Sequence, residues 1–124
     1  MTVHLARVTI SVTDLDDALD LYAGVLGLTV RYREPDLAML ATDEPAVDVL
    51  LHRRRVQPAE FGVAPTFAVD DVDGTAAAAV VAGATVIDAP EDQSWGERQA
   101  VLRDADGNVF CVVSPIPDEP PQLL

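Results

Sequence analysis

The sequence predicts an α+β protein of two βαβββ modules, their sheets curving around a concave pocket with the helices outside. Three observations predict it. Val12-Thr13-Asp14-Leu15-Asp16 recurs as Val69-Asp70-Asp71-Val72-Asp73, an internal repeat offset by 57 residues. Each copy follows a segment that alternates polar and apolar residues and precedes a helix-like segment ending in glycine. Three strand-like runs follow each helix, so the order β-α-β-β-β occurs twice.

The elements follow in order. Arg7–Val12 alternates as a half-buried strand does, and so does Pro65–Val69. Asp14 and Asp71 stand where an N-cap accepts hydrogen bonds from otherwise unpaired first-turn amides. Leu15, Ala18, Leu19, Tyr22 and Leu26 lie at helical spacing and form the expected apolar stripe. Gly27 and Gly83 sit where a left-handed residue ends a helix. The remaining strands are Thr29–Arg33, Leu37–Thr42 and Val47–His52 in the first half. In the second they are Thr85–Ile87, Arg98–Arg103 and Val109–Val113, the last two joined by the turn Asp104-Ala105-Asp106-Gly107-Asn108. All 124 residues form one domain: module one at about 5–52, a linker at 53–64 with Pro58 and Gly62, and module two at about 65–114. From Ser114 the prolines 115, 117, 120 and 121 end the sheet and leave a tail at 115–124.

Composition narrows the function. With 49% hydrophobic and 23% charged residues the chain is globular, and no apolar run is long enough to span a membrane. Met1–His4 carries no basic-then-apolar leader, so a soluble, cytoplasmic protein is expected. Eight arginines, no lysine and 21 acidic residues give a formal charge of −13, which disfavours nucleic acid and anionic membranes as partners. Cys111 is the only cysteine, so neither an intrachain disulfide nor a thiolate zinc cluster is expected.

Strand alternation sorts side chains into two sets. Val8, Ile10 and Val12 suit the helix side, leaving Arg7, Thr9 and Ser11 for the pocket. Phe67 and Val69 pack, leaving Ala64, Thr66 and Ala68. Val47, Val49 and Leu51 pack, leaving Asp48, Leu50 and His52; Phe110 and Val112 pack, leaving Val109, Cys111 and Val113.

The repeat, the Tyr22…Gly27-Leu28 helix end, Val69-Asp70-Asp71-Val72 and Arg103–Asn108 together resemble the vicinal oxygen chelate superfamily. That superfamily includes glyoxalase I, extradiol dioxygenases and the bleomycin-resistance proteins. The resemblance runs from about Leu5 to Ser114 and implies the paired-module fold. Metal-dependent members place His, Glu or Gln at four inward positions, which counting from the matched aspartates puts at Arg7, Asp48, Ala64 and Cys111. Arginine and alanine offer no ligand atom. One carboxylate and one thiol fall short of the usual three protein ligands, so no metal and no cofactor are expected. Arg7 and Asp48 are expected to meet, either as a structural ion pair or as groups that bind and polarise a ligand.

Glu91–Arg98, with its Trp95-Gly96 pair, resembles the pocket mouth of metal-free bleomycin-resistance-like proteins, which hold a drug without altering it. Trp95 then either stacks on a planar ligand or covers a loop or subunit seam. Cys111, on an apolar strand, reads as an inert thiol rather than a nucleophile. His52 is a candidate acid or base but, followed by three arginines, also fits a rim or interface. His4 reads as a solvated terminal residue.

The expected function is metal-free binding of a small molecule by Arg7, Thr9, Asp48, His52, Thr66, Trp95 and Cys111, with antibiotic or natural-product sequestration as its use. The alternative is a metal-independent isomerase, cyclase or lyase of natural-product metabolism using Arg7, Asp48 and His52. A stand-alone regulatory domain is a third reading. A homodimer is expected, because two such modules leave sheet edges and apolar seams.

Overall fold

The computed structural model describes residues 6–56 and 63–117. His4, Pro58, Gly62 and the tail beyond Pro117 lie outside the described residues. The chain divides into two compact units between Gln57 and Pro58.

The first unit contains β1 (Arg7–Val12), α1 (Leu15–Leu19) continued by a π-helical segment (Asp20–Val25), β2 (Thr29–Glu34), β3 (Leu37–Ala41) and β4 (Asp48–Arg53). The second contains β5 (Thr66–Ala68), α2 (Val72–Val81), β6 (Thr85–Asp92), β7 (Glu97–Arg103) and β8 (Val109–Pro115). Each forms a four-stranded mixed sheet, ordered β1-β4-β3-β2 and β5-β8-β7-β6. In both, the first strand runs parallel to the last, and the other pairs are antiparallel. The two modules of the expected βαβββ pattern are therefore present.

Local chemistry explains the helix boundaries. The Asp14 carboxylate accepts from the Asp17 amide and the Asp71 carboxylate from the Gly74 amide, each at 3.0 Å. Gly83, at φ +103°, ends α2: its amide donates to Val80 O and that of Ala84 to Ala79 O, the paired bonds of a Schellman motif. The first helix differs from its expected stripe. Leu15, Leu21 and Tyr22 are buried, while Ala18, Leu19 and Leu26 are only partly so. The Leu26 amide bonds to Leu21 O, five residues back, and this wider turn shifts the phase so that Leu21 rotates inward.

Two strands run two or more residues past their expected ends. β6 runs to Asp92, through Pro90, because an edge strand tolerates a missing ladder donor. Its irregular pairing with β7 and mostly exposed residues hide it from an alternation test. β8 takes in Ser114 and Pro115, which pair with Arg98 and Glu97, so the sheet does not end at Ser114 as the proline content suggested. Pro115 is the last strand residue, and the Ile116 amide next to it donates to Gly96 O.

Each core lies on the helix side of its sheet. Ile10, Val12, Ala38, Leu40, Val49 and Leu51 are buried in the first module. In the second, Phe67, Ala100, Leu102, Phe110 and Val112 are buried, with the Phe67 and Phe110 rings edge to face at 6.2 Å between centroids. Irregular pairing in β2 between Val30 and Tyr32 swaps the faces of the residues beyond it. Arg33 thereby falls on the helix side, where it pairs with Asp16, and Tyr32 falls on the other. In the second module Arg98 reaches Asp73 in the first turn of α2 and also Asp92 on β6.

The β7–β8 turn is held by a buried carboxylate. Asp104 accepts from the amides of Asp106 and Asn108 and from the Asn108 side chain, at 2.9–3.0 Å. Asp104→Ala strands these donors, and a loss of about 2–3 kcal/mol is expected. Urea unfolding should show a lower midpoint at unchanged slope. Acid dependence is expected at Asp73. The Arg98 hydrogen bond holds the Asp73 carboxyl below its ordinary pKa. Its contribution is therefore complete above the unfolded carboxylate pKa and is lost as pH falls through the lower folded value. Unfolding followed from pH 6 down to pH 2 should show a weaker acid dependence in Asp73→Asn than in the wild type.

Candidate functional site

Opposite its helix, each sheet presents a second face, and the strand registers state which residues share it. In the first module three rows cross the sheet. Arg7 lies beside Asp48 and then Ala41; Thr9 beside Leu50, Met39 and Tyr32; Ser11 beside His52, Leu37 and Glu34. Leu50, Met39 and Leu37 are half-buried and form an apolar centre, with Arg7, Thr9 and Tyr32 exposed around it. The Tyr32 hydroxyl donates to Glu34 Oε2, and this bond is the main cause that raises the phenol above its ordinary pKa.

Arg7 and Asp48 are thus register neighbours, as counting predicted. Among the described residues the ion pairs join Arg33 to Asp16, Arg53 to Asp36, and Arg98 to Asp73 and Asp92. Arg7 and Asp48 are not joined. His52 shares their face but sits four residues along β4 from Asp48, about 13 Å away at strand rise. The three residues of the enzymatic alternative lie in two rows of the sheet, with the Thr9–Leu50 row between them. Instead His52 adjoins Ser11, whose Oγ accepts from Arg54 Nε at 2.7 Å.

In the second module the equivalent rows are Thr66, Cys111, Val101 and Asp88, then Ala68, Val113, Gln99 and Glu91. Val101, Val109 and Val113 are buried here too, making an apolar floor. Burial, the largest influence, pushes the Cys111 thiol above its ordinary pKa. The Thr66 hydroxyl works against that rise and the negative charge of Asp88 adds to it. A nucleophilic cysteine needs the opposite surroundings.

Trp95 lies in the β6–β7 hairpin loop, half-buried. Its Nε1 donates to Glu97 Oε1 at 2.9 Å, and Glu97 shares a face with Gln99 and Val101 by alternation. The loop itself is fixed by three backbone bonds: Gln93 N to Glu97 O, Gly96 N to Gln93 O, and Ile116 N to Gly96 O. Gly96, at φ +91°, supplies the left-handed residue that closes it.

The registers correct one correspondence between the modules. Thr9 pairs with Leu50 as Thr66, 57 residues later, pairs with Cys111. The module-one counterpart of Cys111 is therefore Leu50, and Asp48 corresponds to Val109. On either alignment Arg7, Asp48 or Leu50, Ala64 and Cys111 do not fit a divalent metal. Among the described residues no three His, Cys, Asp or Glu side chains are grouped to hold one. Sequence reasoning missed Tyr32, because the β2 irregularity inverts its face, and Glu97, although its place two residues after Trp95 was a usable signal.

Comparison with known proteins places these features in a family. Residues 7–113 match the model of the Glyoxalase-like domain. The putative glyoxylase CFP32 of Mycobacterium bovis is 49% identical over 53 residues, 43% of this chain but 20% of that protein, so this chain spans only a part of its curated relative. A glyoxalase/bleomycin resistance protein/dioxygenase family enzyme from Burkholderia phytofirmans PsJN shares the fold. Its TM-score is 0.75 at 24% identity, over 92% of this chain and all of that one. TnmS3, an antibiotic-binding protein from Streptomyces sp. CB03234, is 26% identical with a TM-score of 0.70, over 92% of this chain and 97% of its own.

The thiol environment is directly testable. Alkylation of Cys111 by iodoacetamide at pH 8, followed by mass spectrometry, should run slower than that of free cysteine. Asp88→Asn should speed it and Thr66→Val slow it further. A rate above that of free cysteine would contradict the inert-thiol assignment.

Proposed function

This chain belongs to the glyoxalase-like family, within the vicinal oxygen chelate superfamily, and we propose that it is a metal-free member that binds a small organic molecule and releases it unchanged. Sequestration of an antibiotic or similar natural product is the use this reading gives it. Trp95 is the observation that carries it. An indole anchored through its N–H, on a loop closed by three backbone bonds, gives up little conformational freedom when a flat molecule stacks on it. The likeness to TnmS3, an antibiotic-binding protein, supports the same reading.

The chemistry of the remaining groups points the same way. The thiol is biased toward its protonated form, and the four family ligand positions hold too few donors for a metal. On each sheet by itself polar side chains lie beside an apolar floor: Arg7, Thr9, Asp48 and His52 on the first, Thr66 and Cys111 on the second. That mixture suits recognition of a largely apolar ligand carrying a few heteroatoms. In this reading the protein works in the cytoplasm as a homodimer, since edge strands β2 and β6 leave unpaired backbone groups for a partner. Among the described residues no helix is long and apolar enough to cross a membrane.

A thermal-shift screen of planar antibiotics and natural products, with mass analysis of the recovered compounds, tests the proposal. The expected result is a stoichiometric complex that returns the compound intact. Trp95→Ala should weaken it by roughly five- to 150-fold, the equivalent of about 1–3 kcal/mol of stacking. Recovery of a chemically altered compound would instead establish turnover. Wild-type affinity in Trp95→Ala would remove the indole from the site.

A further inference from the structure

We propose that Arg54 and His52, on the open face of the first sheet, form a recognition site for the carboxylate of an otherwise apolar molecule. The inference deepens the ligand-binding reading by giving the ligand an acidic group, and it rests on that reading only for the ligand's natural identity.

Charge is unevenly divided between the modules. The chain carries −13 overall, yet six of its eight arginines and nine of its 21 acidic residues fall within residues 1–57. The first module is therefore close to electrically balanced, and the surplus negative charge belongs mainly to the second. Of the arginines in the first module, Arg33 is matched by Asp16 and Arg53 by Asp36. Arg54 has no carboxylate partner among the described residues. Its backbone amide donates to Val12 O and its Nε to Ser11 Oγ, at 3.1 and 2.7 Å. A neutral hydroxyl thus fixes the guanidinium over the open face without neutralising it. Bonding through Nε leaves the two terminal nitrogens, the fork that matches a carboxylate with two parallel hydrogen bonds.

Ser11 is also the register neighbour of His52, so the imidazole lies one strand away, about 4.8 Å in the sheet direction, from the residue that holds the guanidinium. His52 is half-buried, and its imidazole takes part in none of the side-chain hydrogen bonds or ion pairs of the described residues. Two nitrogen-bearing side chains therefore face one spot, and among the described residues no carboxylate engages either. Beside that spot, Leu37 is the other neighbour of His52, while Leu50 and Met39 form the next row. An acid held by Arg54 and His52 lays its body on this apolar centre, and that distinguishes a hydrophobic carboxylate from inorganic phosphate.

The chain has two histidines, which makes the His52 imidazole resonance simple to assign through His4→Gln. The test titrates sodium benzoate, sodium acetate and inorganic phosphate against the full chain at constant pH and ionic strength, with sodium chloride as control. Benzoate should shift the His52 resonance saturably and bind at least fivefold tighter than acetate or phosphate. Arg54→Gln should weaken it at least tenfold, Arg54→Lys less, and Arg55→Gln should leave it unchanged. Ser11→Ala, which frees the guanidinium while keeping its charge, should weaken benzoate a few-fold. A shift reproduced by chloride, or one that survives Arg54→Gln with an unaltered amide spectrum, overturns the proposal. So does phosphate binding as tightly as benzoate. If benzoate binds through Arg54 while no natural product is retained, the carboxylate site stands and the sequestration reading falls. If Arg54→Gln retains a natural product as the wild type does, sequestration stands and the carboxylate site falls.

Discussion

A parallel strand pair cannot be closed by a tight turn, so laying β1 beside β4 requires a long crossover, here a helix and two further strands, and β5 beside β8 is closed in the same way. These two pairings decide which residues each module can present. Side chains alternate with period two, so a slip of one residue would send Ile10 and Leu51 out and bring Thr9 and Leu50 in. The apolar set on one side prevents that slip. Ile10, Val12, Val49 and Leu51 are all buried, and burying each stabilises the module by about 1.5–3 kcal/mol relative to exposure. The polar residues of the other face are placed by residues they never touch.

This is why the fold was largely legible. Alternation in Arg7–Val12 survives in the sequence because one face of the strand is buried more fully than the other. The caps were legible for a different reason: an aspartate before an apolar-periodic run has few other uses, and both Asp14 and Asp71 accept the bonds expected of them. What escaped was irregular. The π-helical segment displaces the stripe to Leu21, and neither propensity nor spacing records a five-residue hydrogen bond before the chain is folded. Edge strands β2 and β6 bury almost nothing, so no packing pressure writes a pattern into them.

The candidate site was legible only where it follows from parity. Arg7, Thr9, Asp48, His52, Thr66 and Cys111 share the faces that counting gave them. The further step, equating Asp48 with Cys111 across the repeat, failed because a spacing measured from the helix caps says nothing about the loop before the last strand. The repeat is offset by 57 residues at the first strands but by 61 between Leu50 and Cys111. Between these strands the second module is thus four residues longer overall, and β6 and its hairpin loop are longer than β2 and its turn. Trp95 belongs to that enlarged hairpin, so the extra length that spoiled the count also brought in the aromatic group.

The two open faces differ in chemistry. In the second module Asp88 and Glu91 share their rows with Thr66, Cys111, Val113 and Gln99, and the field of Asp88 reaches the Cys111 thiol. In the first, Arg7 and Arg54 stand without carboxylate partners among the described residues, on a face whose centre is Leu50 and Met39. A divalent metal site usually takes about three protein donors, which can be of mixed type. Here arginine corresponds to alanine and leucine to cysteine, and of these four only cysteine offers a ligand atom. An apolar floor edged by a few polar groups holds an organic molecule by area and one or two directed bonds. General acid–base catalysis brings its groups within a few ångströms of the reacting atom, and Asp48 and His52, about 13 Å apart along β4 by backbone rise, stand in different rows of the face.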